Sequence, residues 1–301
     1  KLFGNNCKIY IFTKDSTYTA LYSSYTDVIV PIDYLHRITQ NCSYDIEKMK
    51  TEFSRLMNFS DSETNENFLF KVLHEIFKEI DILHVIGGGY LNSLWPDMLY
   101  EVFIATQLAT LYQKKYILTG ISTYPLREEH QPIFQKICEN AEFIDFRDDS
   151  FKEISPNILR YSKTLDDAVF LEDFYPQTDD RKYATILFHN WKGYSNVTID
   201  KLQKVVIPFM EDVINNNFLQ HFYILGFSKQ DLDLWKEISF SDHLKEYITF
   251  KNLTANNCIV AKHLITNAAF NIGSRFHLAV FSLSGNVPVL SISYDRYYEN
   301  K

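Results

Sequence analysis

An arginine and a histidine two positions apart interrupt an apolar stretch near the end of the chain, in NIGSRFHLAVFSLSGNVPVLSISYD over residues 271–295. The pattern predicts a strand over AAFNIG, a short helix over RFHLAVFSLSG and a further strand over VPVLSIS. Arg275 and His277 then lie at the junction of strand and helix, with Ser274 as the expected helix N-cap. Such a junction can form an anion-binding corner that contains a titratable group. The alternative is a local hydrogen-bond network that satisfies both polar side chains.

Two further segments place candidate anion-binding groups directly after predicted strands. Gly88 and Gly89 end a glycine triplet that follows the strand DILHVI, where glycines allow a ligand close to the backbone or simply form a tight turn. Arg147 follows the strand FIDF, and a guanidinium there can bind a carboxylate or phosphate through two parallel hydrogen bonds. The alternative for Arg147 is an ordinary ion pair with Asp148 or Asp149.

A fourth polar segment, HNWK, follows the first strand of the second half of the chain. A tryptophan in this loop can stack on a sugar and a histidine can hydrogen-bond to one, although a single loop histidine is also common for structural reasons. The candidate sugar-binding residues, and so the candidates for binding a saccharide substrate, are His189, Asn190, Trp191 and Lys192.

The elements that must position these groups are apolar strands that alternate with amphipathic helices, which indicates a parallel α/β architecture. In such sheets ligands collect outside the carboxyl ends of the strands, where the four polar segments are predicted to lie. The acidic, proline-containing segment FLEDFYPQTDDRK separates two series of strands and is interpreted as a linker. We therefore expect two Rossmann-like domains that face a cleft, residues 1–175 and 180–301.

The composition excludes some classes of protein. With 301 residues, 46% of them apolar, the chain can form two hydrophobic cores, and its net charge of −8 argues against a general nucleic-acid-binding protein. Four widely spaced cysteines without a CxxC pair favour reduced thiols over a disulfide framework or a metal site. No apolar run reaches the ~20 residues of a membrane span, and no signal peptide is evident. Because a strand begins soon after Lys1, we expect the chain to be part of a longer protein.

Four segments taken in order resemble the polysaccharide pyruvyl transferase family: GGGYLN, FRDDSF, DDAVFL and NIGSRFHLAVFSLSGNVPVLSISYDRYYENK. The last segment is the most specific, because it combines S-R-x-H with a following G-x-P-V strand. The matching segments run from about Ile82 to the final residue. Members of this family are similar to two-domain glycosyltransferases of the GT-B type, so the resemblance implies a GT-B-like fold.

The resemblance also implies a reaction, the transfer of a pyruvyl group from phosphoenolpyruvate to two hydroxyls of a sugar as a cyclic ketal, with release of phosphate. It carries over Arg147, Arg275 and Lys301 as cations for the carboxylate and phosphate of the donor. His277 is the expected general acid/base, and Arg275 is expected to assist catalysis. The remaining residues of the expected donor site are Ser274, Gly88 and Gly89. No metal or redox cofactor is required.

The expected partner is a saccharide of a capsule or other exopolysaccharide, linked to a lipid or a nucleotide. We expect no nucleic-acid partner and no integral membrane segment, and a cytoplasmic location, at the membrane face for a lipid-linked acceptor. Two other functions stay open. One is a GT-B glycosyltransferase in which Arg275 and Lys301 hold the diphosphate of a nucleotide sugar, and the other is a non-catalytic saccharide-binding domain.

Overall fold

The chain divides into two compact units, Lys1–Asp166 and Asp167–Lys301. The computed structural model describes residues 7–13, 27–43, 45–57, 65–153, 160–171, 180–189, 198–253 and 257–293. Each unit is an α/β unit with parallel strands, which confirms the fold class predicted from the sequence. Within the described ranges, no helix is both long and apolar enough to cross a bilayer.

Unit 1 contains two parallel sheets. Its described elements are β1 (Tyr10–Thr13), β2 (Val28–Pro31), α1 (Asp33–Asn41), α2 (Ile46–Met57), α3 (Asn65–Glu79), β3 (Ile82–Val85), α4 (Pro96–Leu111), β4 (Lys115–Ile121), α5 (Gln131–Glu139), β5 (Phe143–Phe146) and β6 (Tyr161–Lys163), with 3₁₀ turns at Glu128–His130 and Asp149–Glu153. The order β3-β4-β5-β6 forms one sheet, and β1 pairs with β2 in the other. A cavity of about 460 Å³ is lined by residues of β1 and β3.

The core of unit 1 follows from the periodicity of its helices and strands. Helix α4 begins at Pro96, whose fixed φ and missing N–H suit the first helical turn. Its residues Leu99, Phe103 and Leu108 are buried at helical spacing against the sheet, and Leu118 of β4 is fully buried among them. This packing holds the carboxyl ends of β3, β4 and β5 at one edge of the sheet.

Unit 2 contains one five-stranded parallel sheet with the order β11-β10-β7-β8-β9. Its described elements are β7 (Tyr183–Leu187), α6 (Ile199–Lys201), a π-helical turn (Leu202–Val206), α7 (Ile207–Asn215), β8 (His221–Gly226), α8 (Lys229–Asp233), α9 (Asp242–Lys245), β9 (Ile248–Asn252), α10 (Cys258–Thr266), β10 (Phe270–Gly273), α11 (Phe276–Ser284) and β11 (Val289–Ser291), with 3₁₀ turns at Asp167–Phe170 and Leu234–Glu237. Gly273 of β10 lies opposite Leu187 of β7, so the two strands end together.

The boundary between the units lies earlier in the sequence than the expected linker. Ala168, Val169 and Leu171 pack against a buried cluster of unit 2, and the Lys262 ammonium donates a hydrogen bond to the carbonyl of Leu171. Contacts therefore place the division after Asp166, whereas composition suggested residues 175–180. Apolar side chains in the 3₁₀ turn account for the difference, because burying them joins this segment to the second core.

A buried asparagine fixes the terminal strand–helix unit that contains the S-R-x-H motif. Asn271 is fully buried, and its amide donates to the carbonyl of Ile265 at 3.1 Å and to the hydroxyl of Ser282 at 2.9 Å. Its carbonyl oxygen accepts from the hydroxyl of Thr185 on the neighbouring strand β7. The polar residues in this apolar stretch thus include one that is completely satisfied inside the core.

We expect Asn271→Ala to lower the local stability of β10 by about 3 kcal/mol, because it removes three buried hydrogen bonds and takes away the acceptor of the Thr185 hydroxyl. Hydrogen exchange of the β10 amides, followed by mass spectrometry, measures this change. Asn215→Ala is the matched control, since Asn215 is exposed at the end of α7. Equal protection of β10 in both variants would contradict the role assigned to Asn271.

Candidate functional site

The candidate site of unit 2 is built from the carboxyl ends of three adjacent strands, β10, β7 and β8. Parallel strands end at the same edge, so the loops that leave them are close in space although far apart in sequence. Gly273 ends β10, and a Cβ at this position would lie 2.0 Å from the carbonyl oxygen of Leu187. Glycine is therefore required for β10 and β7 to approach this closely.

Ser274 connects β10 to the loop after β7 and is not a helix cap. The N-cap of α11 is Arg275, without a side-chain capping bond, so the predicted N-cap role of Ser274 is wrong. The Ser274 amide pairs with the carbonyl of Leu187 at 3.0 Å, which extends the strand pairing by one residue and delays the helix. The Ser274 hydroxyl instead accepts a hydrogen bond from the backbone N–H of His189 at 2.8 Å.

Arg275 is held by a carboxylate that sequence reasoning did not identify. Its Nη2 lies 2.7 Å from Oδ1 and 2.8 Å from Oδ2 of Asp231, and 3.1 Å from the hydroxyl of Ser228. The Asp231 side chain is completely buried, whereas 24% of the Arg275 side chain is exposed. Oδ2 of Asp231 also accepts the backbone N–H groups of Phe227 and Ser228 at 3.0 and 2.9 Å.

His277 is exposed on the first turn of α11, two residues after Arg275. Its ring lies beside the rings of Phe276 and Phe281, with centroids 5.6 and 6.2 Å away. The strand–helix junction therefore carries a partly exposed guanidinium and an exposed imidazole. A site of this kind can bind an anion and exchange a proton with it.

In unit 1, Arg147 directly follows β5, as predicted, but its partner differs from both alternatives considered. Its Nη1 donates to Oδ2 of Asp166, and the two side chains are only 2% and 7% exposed. Asp148 instead accepts the backbone N–H of Ser150 at 3.0 Å. Asp149 is exposed, and hydrogen bonds from Lys163 and Lys152 lower the pKa of its carboxyl. The segments FRDDSF and DDAVFL are thus joined by one buried ion pair.

The glycine triplet forms a tight turn against β4. A Cβ at Gly87 would lie 2.3 Å from the carbonyl oxygens of Thr119 and Gly120, whereas at Gly88 its nearest neighbours would be atoms of the Tyr90 ring. Helix α4 begins only at Pro96, so the amides of Gly88 and Gly89 do not belong to its N-terminus. Their contact with a donor stays a prediction.

Asn92, the asparagine of the GGGYLN segment, has a structural role. It is fully buried, and its amide donates to the carbonyls of Gly89 at 2.7 Å and Tyr124 at 3.2 Å. Its side-chain oxygen accepts the N–H of Leu94 at 2.9 Å. Asn92 therefore ties the glycine turn to the loop that follows β4.

The expected acceptor and donor residues are only partly within the described chain. His189 follows β7 and is half-buried. Asn190, Trp191, Lys192 and Lys301 lie outside the described residues. Their roles, like the catalytic role of His277, stay predictions.

Two buried carboxylates and one hydroxyl belong to the candidate sites although the sequence analysis assigned them no role. Ser228 and Asp231 form a capping box at the start of α8, a pattern that S-x-x-D after the strand HFYILGF already contains. Asp166 lies in the DDAVFL segment. Local patterns mark these residues as caps or turns, but they do not show which arginine each one meets.

We expect Arg147→Met to lower the local stability of β5 and β6 by about 3–5 kcal/mol, because it removes the guanidinium that forms an ion pair with the buried Asp166 carboxylate. The double variant Arg147→Met/Asp166→Leu should recover most of this loss. Hydrogen exchange of the β5 and β6 amides measures both effects. In the control Arg127→Met, loss of an exposed pair with Glu129 should cost at most about 1 kcal/mol. A double variant less stable than Arg147→Met would refute the interpretation.

Comparison with solved structures shows the fold. A putative UDP-N-acetylglucosamine 2-epimerase from Listeria monocytogenes aligns with a TM-score of 0.51 at 11% identity, over 94% of this chain and 70% of that chain. The UDP co-structure of MnaA from S. aureus aligns with a TM-score of 0.51 at 12% identity, over 96% and 80%. The UDP-GlcNAc 2-epimerase of Methanocaldococcus jannaschii aligns with a TM-score of 0.50 at 13% identity, over 94% and 82%. These neighbours have GT-B-type folds, and the fold of this chain is GT-B-like.

Comparison at the sequence level gives a narrower result. None of the curated proteins matches this sequence. The family model described as polysaccharide pyruvyl transferase matches residues 4–296, and that range includes the S-R-x-H corner at the end of β10. The chain therefore belongs to the polysaccharide pyruvyl transferase family.

Proposed function

We propose that this protein is a ketal pyruvyltransferase that uses phosphoenolpyruvate as donor and a saccharide of a surface polysaccharide as acceptor. The observation that carries the proposal is the S-R-x-H junction, which presents Arg275 and His277 at the carboxyl edge of the unit 2 sheet in a chain of this family. A partly exposed arginine suits the anionic donor, and an exposed histidine two residues away suits proton transfer.

The proposed reaction is balanced without any oxidant or reductant. Protonation of the methylene carbon gives a methyl group and an oxocarbenium-like centre at C2, which the first sugar hydroxyl attacks. The second hydroxyl then displaces phosphate from C2. Two C–O bonds form, the C=C double bond is consumed and the bond from C2 to the phosphate oxygen breaks. In the net reaction, one of the two hydroxyl protons makes up for the proton added to the methyl carbon, and the other leaves with phosphate.

The chain supplies charge and proton transfer for these steps. We assign the donor anion to Arg275, with His277 as the general acid/base. Arg147 is buried in an ion pair with Asp166, whereas Arg275 is partly exposed. We therefore assign direct contact with phosphoenolpyruvate to Arg275. The acceptor is proposed to be lipid-linked or nucleotide-linked, as expected from a role in capsule or exopolysaccharide synthesis. The proposed location is the cytoplasm, at the membrane face if the acceptor is lipid-linked.

A nucleotide-sugar transferase is the second candidate. It is favoured by the fold similarity to the UDP co-structure of S. aureus MnaA. In that case Arg275 contacts a diphosphate instead of phosphoenolpyruvate. A saccharide-binding domain without catalysis is the third.

The decisive experiment is incubation of the protein with phosphoenolpyruvate and a panel of lipid-linked and nucleotide-linked sugars. We expect acceptor-dependent release of inorganic phosphate and a product heavier than the acceptor by one pyruvate ketal in mass spectrometry. A nucleoside diphosphate formed from a sugar nucleotide, with no phosphate release, would replace this function by the second candidate. Neither product, with saccharide binding that survives His277→Ala, would indicate the third.

We expect His277→Ala to reduce the rate of phosphate release by about 10²–10⁴-fold, the usual contribution of a general acid/base. Arg275→Ala should abolish transfer, and His277→Ala should keep the hydrogen-exchange pattern of the sheet. His243→Ala is the control, because His243 is likewise an exposed histidine on a helix of unit 2. A His277→Ala enzyme that releases phosphate at the wild-type rate would exclude His277 as the general acid/base.

A further inference from the structure

We infer that Asp231 is a positioning residue for the anionic donor and acts by holding the Arg275 guanidinium in its binding orientation. This inference rests on the proposed function in one respect, the assignment of the donor anion to Arg275. Asp231 is at the start of α8, 44 positions before Arg275 in sequence.

The contacts of Arg275 use only one of its terminal nitrogens, Nη2, to bind other residues of the protein. Among the described residues, the Arg275 side chain donates its hydrogen bonds from Nη2, to Asp231 and Ser228. Within the part of the chain that the structure describes, Nη1 donates no hydrogen bond, and the buried Nε has no acceptor. A guanidinium carries five N–H donors in a rigid plane, so the two on Nη1 remain for a ligand.

Asp231 lowers the cost of binding because it restricts Arg275 in advance. A free arginine side chain loses about 2 kcal/mol of rotamer entropy when it is immobilised. The fully buried carboxylate of Asp231 is itself fixed by the N–H groups of Phe227 and Ser228, so it provides a rigid anchor. A preorganised arginine therefore binds an anion more tightly than a mobile one.

The same carboxylate also holds the loop after β8, and a test must separate the two roles. Asp231→Asn does so, because an asparagine oxygen can still accept the backbone N–H groups of Phe227 and Ser228. Its NH₂ group then faces Nη2 of Arg275, and two donors repel each other. The loop is retained, while Arg275 loses the hydrogen bond to Oδ1 and the negative charge of its partner.

We expect Asp231→Asn to raise the KM for phosphoenolpyruvate by about tenfold, the factor that corresponds to loss of one charged hydrogen bond. The kcat should change by less than about twofold, because the contact is made equally in the ground state and the transition state. Calorimetric titration with inorganic phosphate should show a similar loss of affinity. Asp233→Asn is the control on the same helix, since Asp233 pairs with Lys236 at the surface, and it should leave both constants unchanged.

A double-variant cycle separates positioning from stability. In an Arg275→Ala background, Asp231→Asn should not reduce phosphate affinity further, whereas a general loss of structure would still do so. A further loss in that background, or an unchanged KM and phosphate affinity in Asp231→Asn alone, would overturn the inference.

A wild-type protein that binds phosphate but releases none from phosphoenolpyruvate would refute the proposed function only, and phosphate affinity would still decide the role of Asp231. A wild-type protein that neither binds phosphate nor releases it would overturn both.

Discussion

The ion pair between Asp231 and Arg275 joins the ends of two strands that are not neighbours. β8 and β10 lie on either side of β7, so the pair spans two strand spacings, roughly 10 Å, across the end of the central strand. The bond from the His189 amide to Ser274 joins β7 to β10 at the same edge. Together these contacts connect the loops that leave three strands, and they fix the Arg275 guanidinium at the strand–helix junction that also carries His277.

Each unit contains an arginine that follows a strand and forms an ion pair with a buried carboxylate. The two arginines differ in how exposed their side chains are. The Arg147 side chain is 2% exposed and that of Arg275 is 24% exposed. In a fully buried pair, mutual attraction and hydrogen bonds offset the cost of desolvation. Because the Arg147 pair is buried, a ligand has little access to it. The partly open pair in unit 2 is therefore the one that suits an anionic substrate.

The motif residues that are not aimed at a ligand hold the strand ends in place. Gly87 and Gly273 permit backbones to approach where a Cβ would collide with a carbonyl. Asn92 and Asn271 are buried and use their amide groups to connect a strand or turn to its neighbours. Because buried amides must be satisfied, these asparagines specify one arrangement of the loops and thereby the position of the site.

The sequence by itself determined the parallel α/β architecture, most strand and helix positions and the location of Arg147, Arg275 and His277 after strands. These features depend on hydrophobic periodicity and turn residues, which act over a few neighbouring positions. Tertiary structure decided the partners. Asp231 meets Arg275 across 44 positions and Asp166 meets Arg147 across 19, and no local pattern contains that pairing. It also decided that Ser274 continues the strand instead of capping the helix, because its amide pairs with Leu187 on β7. The physical reason is that strand order and register, set by packing of the whole sheet, determine which distant side chains share one edge.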